Sequence, residues 1–322
     1  MLLRDVESHL RFSHSTLCRL VLLLALSPGL TASGACRPAT DTPSTVDVVT
    51  TTTMLADLAT QLAGDDLQVR SIMHPGGDPH LYQPTPSDAR LIASARVVLV
   101  SGLGLEGWIE DLVRNAGGDA TIIVVGEVVE PIRHPEYPDG TDPHFWFDPT
   151  AWSAASIAVE DALVAVVDEA AQPTLRARGS AYRETLSSLD TWTQAQLNTV
   201  PEAQRHLVTS HDAFNYFARR YDLRVSGLQG ITTETQPSQR EIADLIDMIR
   251  DTGVRSVFVE TSVNPTLSER VASEAGVGTS GPLYSDSLGA ADGPAATYLG
   301  TFTENVRMIV EGLGGSYTPF VP

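Results

Sequence analysis

Between residues 149 and 199 no strand-forming run interrupts the chain, while on either side short β-rich segments alternate with helical ones. That alternation is the signature of βαβ units wrapped on a parallel sheet. Two such blocks flanking a strand-free stretch confine the chain to a two-lobed α/β architecture. In the first block, strands are expected at 46–51, 67–73, 97–101 and 121–125, with helices at 54–63, 86–95 and 105–116. In the second, strands are expected at 206–210, 223–226, 254–260 and 281–284, with helices at 213–221, 239–251, 265–274 and 295–313. Thr85-Pro86 and Asn264-Pro265 read as a cap followed by proline in the first helical turn, and Ser238 with Glu241 reads as a capping box. The middle stretch is rich in Ala, Leu, Glu, Arg and Gln. Pro173 starts a second helix there, with Leu175, Tyr182, Leu186, Leu189 and Leu197 at largely helical spacings. Without the Gly and Ser of a flexible linker, it reads as a rigid connector. The expected fold class is therefore α/β, two lobes each with a mainly parallel sheet flanked by helices, joined by a long rigid connecting helix.

The N-terminus carries a different kind of signal. Arg4, Arg11 and Arg19 precede an apolar run at 20–26, and the small-residue stretch Thr31-Ala32-Ser33-Gly34-Ala35-Cys36 follows. That order of basic, apolar and small residues marks a secretory leader, and the apolar run is shorter than the ~20 residues a bilayer span requires. Ser33-Gly34-Ala35-Cys36 resembles a lipobox, in which the cysteine becomes the lipidated first residue of the mature chain, although Ser33 stands where such signals usually carry Leu, Val or Ile. Cleavage after Ala35 by an ordinary signal peptidase is the competing reading. The expected plan is a signal peptide at 1–35, a Pro/Thr tether at 36–44, an N-terminal α/β lobe at 45–148, a helical connector at 149–199 and a C-terminal α/β lobe at 200–322. The destination is outside the cytoplasm, as a cell-membrane lipoprotein held by a lipid on Cys36 or as a periplasmic protein.

Charge and cysteine content narrow the partners. The formal net charge is -19, and every basic side chain apart from histidine is an arginine. No arginine cluster is dense enough to neutralise a run of phosphates, so nucleic acid is not an expected partner. The same charge attracts cations, although solubility is the preferred reading of it, since acidic proteins are common and few bind metals. The two cysteines, Cys18 and Cys36, lie in or beside the leader. The mature body therefore offers no thiolate, and a metal site there must be built from histidines and carboxylates.

Ligands of open α/β sheets bind beyond the carboxyl ends of the strands. Four residues fall at such places. His80 follows the second expected strand in Asp78-Pro79-His80, and His144 follows the fourth in Asp142-Pro143-His144. His211 directly follows the strand at 206–210, and Asp286 follows the strand at 281–284. The repeated Asp-Pro-His fixes the backbone ahead of each imidazole. Asp286 alone is weak, since Ser-Asp turns are common; its case rests on the three histidines. Three imidazoles and one carboxylate, two donors from each lobe, make a complete tetrahedral set. His74 reads as a solvated loop residue, His206 as packing or surface, and Glu260 as a buried structural acid more readily than a ligand. Asp212 and Glu234 lie near the expected cleft. Trp108, Phe145, Trp146 and Phe214 read as core.

The stretches PGGDPHLYQPTPSD from Pro75, SGLGLEGW from Ser101, DPHFWFDP from Asp142, TSHDAFNYFARRYDL from Thr209, SVFVET from Ser256 and YSDSLG from Tyr284 carry a resemblance. Across nearly the whole mature chain, and in the same order, they resemble the metal-binding solute-binding proteins of bacterial ABC transporters for zinc and manganese, the cluster A-I family. The resemblance implies two α/β lobes joined by one long helix, with His80, His144, His211 and Asp286 on the metal-ligand positions in the cleft. It implies a permease and an ATPase subunit as partners, a monomeric chain, and Zn(II) or Mn(II) as cargo, with iron a further possibility of the same transporter type. Two departures bear on the metal. The segment 129–141 holds only His134, where many zinc-dedicated members carry a His-rich acidic loop. Manganese-dedicated members often place Glu where this chain has His211. A set of three histidines and one aspartate suits zinc best. An exported zinc hydrolase would need an open ligand position and a general base, and a zinc-stabilised surface adhesin would hold its metal until unfolding.

Overall fold

The computed structural model describes residues 46–133 and 140–322. The leader, the tether, Cys36 and His134 lie outside the described residues.

The first lobe contains β1 (Val46–Thr50), α1 (Thr53–Ala63), β2 (Val69–Ser71), α2 (Pro86–Ser94), β3 (Ala95–Val100), α3 (Ile109–Ala116) and β4 (Thr121–Val124). Its four strands are all parallel, in the order β2-β1-β3-β4. Past Asp47 and Arg96 near their starts, the two central strands are runs of β-branched and aliphatic residues because both faces are covered. Val97 and Leu99 enter one buried cluster while Val98 and Val100 enter another, as the two-residue period of a strand requires.

Two helices follow, α4 (Pro149–Val164) and α5 (Gln172–Leu197). Asp148 caps α4 by accepting the Thr150 N–H at 2.9 Å, with Pro149 in the first turn. The 26 residues of α5 make it the longest described helix, about 39 Å at ~1.5 Å per residue. It packs against α4. There Gly179 faces the buried Glu160, whose carboxylate pairs with Arg183 Nη1 at 2.8 Å and Arg176 Nη1 at 3.3 Å. Trp152 Nε1 donates to Tyr182 Oη at 3.0 Å across the same contact. The connector is thus α5, braced along its side by α4.

The second lobe contains β5 (His206–Thr209), α6 (Asn215–Tyr221), β6 (Arg224–Gly227), α7 (Gln239–Thr252), β7 (Ser256–Glu260), α8 (Thr266–Ala275), β8 (Gly278–Leu283) and α9 (Tyr298–Gly312). Its sheet is again all parallel, in the order β6-β5-β7-β8. Strand for strand this is the order of the first lobe, a repeat of architecture with no matching repeat in sequence. Ser238 and Glu241 form the expected capping box on α7. Asn264 Oδ1 accepts the Thr266 N–H at 3.0 Å at the start of α8.

Some element bounds differ from expectation for local reasons. The helix expected at 105–116 begins only at Ile109, because Gly102, Leu103 and Gly104 take left-handed φ values of 83°, 55° and 86° and turn the chain first. The helix expected from 295 begins at Tyr298, where Thr297 caps it by accepting the Gly300 N–H. Each lobe keeps an outer apolar cluster of its own. A third cluster runs from Val48 and Leu99 through Trp152 and Leu186 to Leu207 and Phe258, so one core crosses both lobes and the connector.

Candidate metal centre

The carboxyl ends of both sheets converge on one buried spot. His80 arrives on the loop after β2, His144 just before a short 3-10 turn (Phe145–Phe147) that leads into α4, His211 one residue past the end of β5 with Ser210 between, and Asp286 beyond β8 with Tyr284 and Ser285 between. All four are buried, and their donor atoms lie within 4.8 Å of one another. His144 Nε2 and His211 Nε2 are 3.4 Å apart, and each is 3.5 Å from Asp286 Oδ1. Tetrahedral donors at ~2.0–2.1 Å from an ion stand about 3.3–3.4 Å from each other. Three corners are therefore already spaced for a small cation. His80 completes the group, its ring centroid 5.5 Å from that of His144 and 5.8 Å from that of His211. The buried His80 Nε2 and Asp286 Oδ1 have no hydrogen-bond partner, the condition expected of atoms that need a ligand.

Two of the three imidazoles, those of His144 and His211, are aimed by a carboxylate. Asp142 Oδ1 accepts the His144 N–H at 2.9 Å and lies 2.8 Å from His144 Nδ1. Glu260 Oε1 accepts the His211 N–H at 2.9 Å, and its Oε2 lies 2.5 Å from His211 Nδ1. A carboxylate at Nδ1 fixes that nitrogen as the protonated one, leaving Nε2 as the atom able to take a metal and raising its basicity. Asp78 Oδ1 accepts the His80 N–H at 2.9 Å. The Asp of both Asp-Pro-His motifs thus bonds the backbone two residues on, the habit of aspartate in turns. Proline alone does not set the imidazole.

Burial and charge split the titrations. Burial pulls the His80 imidazole down to about 3, against partial compensation from Asp286. Burial also pulls on His144, but Asp142 and Asp286 outweigh it and push the group up to about 9. His211 is raised well above its ordinary value, since Glu260 and Asp286 outweigh burial. Against its own burial, Asp286 is held well below the usual carboxylate range by His211 and His144. An arriving cation therefore meets two imidazoles that must surrender protons and one that is already neutral.

The remaining candidates fall outside the group of four. His74 is exposed. His206 is buried with its Nε2 3.0 Å from Ser226 Oγ. Glu234 is exposed and Asp212 is partly buried. Trp146 has a role beyond core packing: its ring centroid lies 5.3 Å from that of His144, and its Nε1 donates to Ser285 O at 2.9 Å, tying one lobe to the other beside the site. Phe145 and Phe214 are core, and Trp108 Nε1 donates to Pro79 O at 2.9 Å, backing the His80 loop. The sequence marks Asp142 only by its place in the motif and Glu260 only as a buried acid. An acidic residue two positions before each loop histidine was the available signal for the first. The sequence holds none for Glu260, which is 49 residues from His211. A cavity of about 410 Å³ lined by His80, Leu103, Pro143 and Ile231 opens on the His80 side.

Two α/β lobes with a buried three-histidine, one-aspartate cluster between them define a two-lobed metal-binding substrate-binding protein. Residues 48–312 match the ZnuA family, described as zinc-uptake complex component A, periplasmic, and the chain belongs to that family. It is 35% identical over 275 residues to the manganese-binding lipoprotein MntA of Bacillus subtilis, covering 83% of this chain and 90% of the relative. It is 35% identical over 277 residues to the iron-binding protein YfeA of Yersinia pestis, covering 85% of this chain and 88% of that one. Among solved structures, the periplasmic zinc-binding protein TroA of Treponema pallidum superposes with a TM-score of 0.79 at 32% identity, covering 83% of this chain and 98% of that one. The family and these relatives are binding proteins of metal uptake, not enzymes.

Proposed function

We propose that this chain captures one zinc(II) ion outside the cytoplasm through His80, His144, His211 and Asp286 and delivers it to the permease of an ABC transporter driven by an ATPase subunit. The observation that carries the reading is the donor set itself. Three imidazole nitrogens and one carboxylate oxygen, buried and backed by Asp142 and Glu260, suit zinc above manganese, which favours more and harder oxygen donors. The relatives do not choose the metal, because their names divide among manganese, iron and zinc. Four protein donors leave no open position for an activated water, which argues for capture over hydrolysis. The leader pattern supports export, and the lipobox-like Ser33-Gly34-Ala35-Cys36 supports a lipid anchor on Cys36. In this reading 45–148 and 200–322 are the two lobes that share the ion.

The test is metal analysis of protein purified under native conditions, followed by competition between Zn(II) and Mn(II). One zinc per chain, held more tightly than manganese and removable by chelator without unfolding, is the expected result. Manganese displacing zinc at equal concentration would overturn the choice of metal. Metal lost only on unfolding would point to a structural ion instead.

A further inference from the structure

Asp142 serves His144 with one oxygen alone. Its Oδ1 meets both the backbone N–H and Nδ1 of His144, whereas Glu260 divides the same two tasks on His211 between its two oxygens. A carboxylate held at both oxygens has its plane fixed. One held at a single oxygen can still turn about its last bond, a torsion with a broad minimum. Two neighbouring residues at the start of α6, in the second lobe, supply the missing restraint. Tyr216 Oη donates to Asp142 O at 3.0 Å and accepts the Ile132 N–H at 3.1 Å, which pins the main chain. Asn215 Nδ2 donates to Asp142 Oδ2 at 3.0 Å, which pins the carboxylate. An ionised carboxylate only accepts hydrogen bonds, so the amide nitrogen is the end of Asn215 that faces it.

Resting on the proposed assignment of the four ligands, we infer that Asn215 is a positioning residue for metal capture: by holding Asp142 Oδ2, it sets the plane of the carboxylate that aims the His144 imidazole. Asn215 stands four positions beyond His211. The stretch of backbone that carries one ligand therefore also orients a second ligand, which arrives from the other lobe. The amide does not cap its own helix, and its one other contact is to Asp212 O at 3.4 Å, within the same turn. Asp142 is fully buried while Asn215 is only half-buried, so the asparagine can be changed without opening the core. Were Asn215 merely a polar tie between the lobes, its removal would loosen both imidazoles alike and would cost the same with or without Asp142. Under the proposed role, the whole cost passes through Asp142 and falls on His144.

The experiment measures Zn(II) affinity of the full chain against a competing chelator, in Asn215→Ala, Asp142→Ala and the variant carrying both. Asn215→Ala should weaken zinc binding about three- to tenfold, the range of one lost hydrogen bond. Asp142→Ala should cost more, about 10–100-fold. With Asp142 already replaced, Asn215→Ala should cost nothing further, which is the coupling a double-mutant cycle isolates. Asn215→Leu, which keeps the volume and removes the donor, should match Asn215→Ala and carries the comparison should the alanine variant not fold. NMR of zinc-loaded protein labelled with 15N-histidine supplies a second readout. The His144 Nδ1–H should exchange with solvent faster in the Asn215 variants, while the His211 Nδ1–H, held by Glu260, should not change. Unchanged affinity, an equal loss in both backgrounds, or equal quickening at both imidazoles overturns the inference while the ligand assignment stands. A native chain that does not take up zinc one to one defeats the ligand assignment, and the inference with it.

Discussion

Glu260 contributes to His211 twice, through the backbone N–H and through Nδ1, and each contact fixes a different degree of freedom. The first positions the main chain just beyond β5, and the second sets tautomer and ring direction. Glu260→Gln keeps the shape and removes the charge, so zinc affinity should fall about 10–100-fold, measured against a competing chelator. His80→Ala and His211→Ala remove donors outright and should lower affinity by more than that. Ligand variants that bind as tightly as the native chain would refute the assignment. Acidity acts through the same residues. His144, raised to about 9, and His211, raised as well, hold protons at neutral pH that zinc must displace. Zinc affinity should therefore climb with pH toward about 9 and fall by at least about tenfold per pH unit on acidification, a window well above the ordinary histidine value of ~6.5. The metal-free protein has the opposite slope from His144. A raised folded pKa stabilises below the unfolded value and loses that contribution as pH rises through about 9. The rise in melting temperature produced by zinc should consequently widen between pH 6 and pH 9, and a rise that shrinks would contradict the titration of His144.

At the scale of elements, most of the fold was legible because strands and helices announce themselves by period and cap. β1 begins where expected, at Val46, and α7 starts where Ser238 and Glu241 said it would. The misses lie where apolar pattern and backbone chemistry disagree, as at residues 102–108, whose glycines turn a helical-looking segment before α3. Gly179 is a further case. In an exposed helix a glycine costs about 1 kcal/mol relative to alanine, so its place in the middle of α5 has no local justification. The reason is α4: a Cβ there would stand 2.0 Å from Glu160 Oε2, and two arginines hold that carboxylate in place. Gly179→Ala should reverse the usual sign and destabilise the protein by about 1–3 kcal/mol in urea unfolding, leaving zinc stoichiometry at one. An unchanged or increased midpoint would mean that Glu160 moves aside freely.

For the molecule as a whole, the connection between lobes decides how it responds to metal. Flexible strands between lobes permit wide hinge closure, whereas here a braced 26-residue helix and a shared apolar core join them. Direct bonds add to this near the site: Thr233 Oγ1 to Asp78 Oδ2 at 2.6 Å, the Gly76 N–H to Ser287 Oγ at 2.8 Å, and the Leu288 N–H to Thr53 Oγ1 at 2.9 Å. Zinc should raise the melting temperature clearly, because it binds the folded site in preference to the unfolded chain. The radius of gyration by solution scattering should hardly change on adding zinc or removing it with chelator. A marked compaction would identify α5 as a hinge.

What the sequence determined by itself was the class of fold and the four residues proposed as donors. Period and capping are local, and a histidine at the end of a strand occupies a functional edge whatever the rest of the chain does. Only tertiary structure decided which atoms of those donors face one another, and which carboxylates stand behind them. Glu260 meets His211 because β5 and β7 are neighbours in the second sheet. Strand order is a long-range outcome of packing, with no trace in the spacing of residues along the chain. The protonation of the site follows from it, since the same imidazole is pushed down to about 3 at His80 and up to about 9 at His144 by what burial and neighbouring carboxylates surround it with.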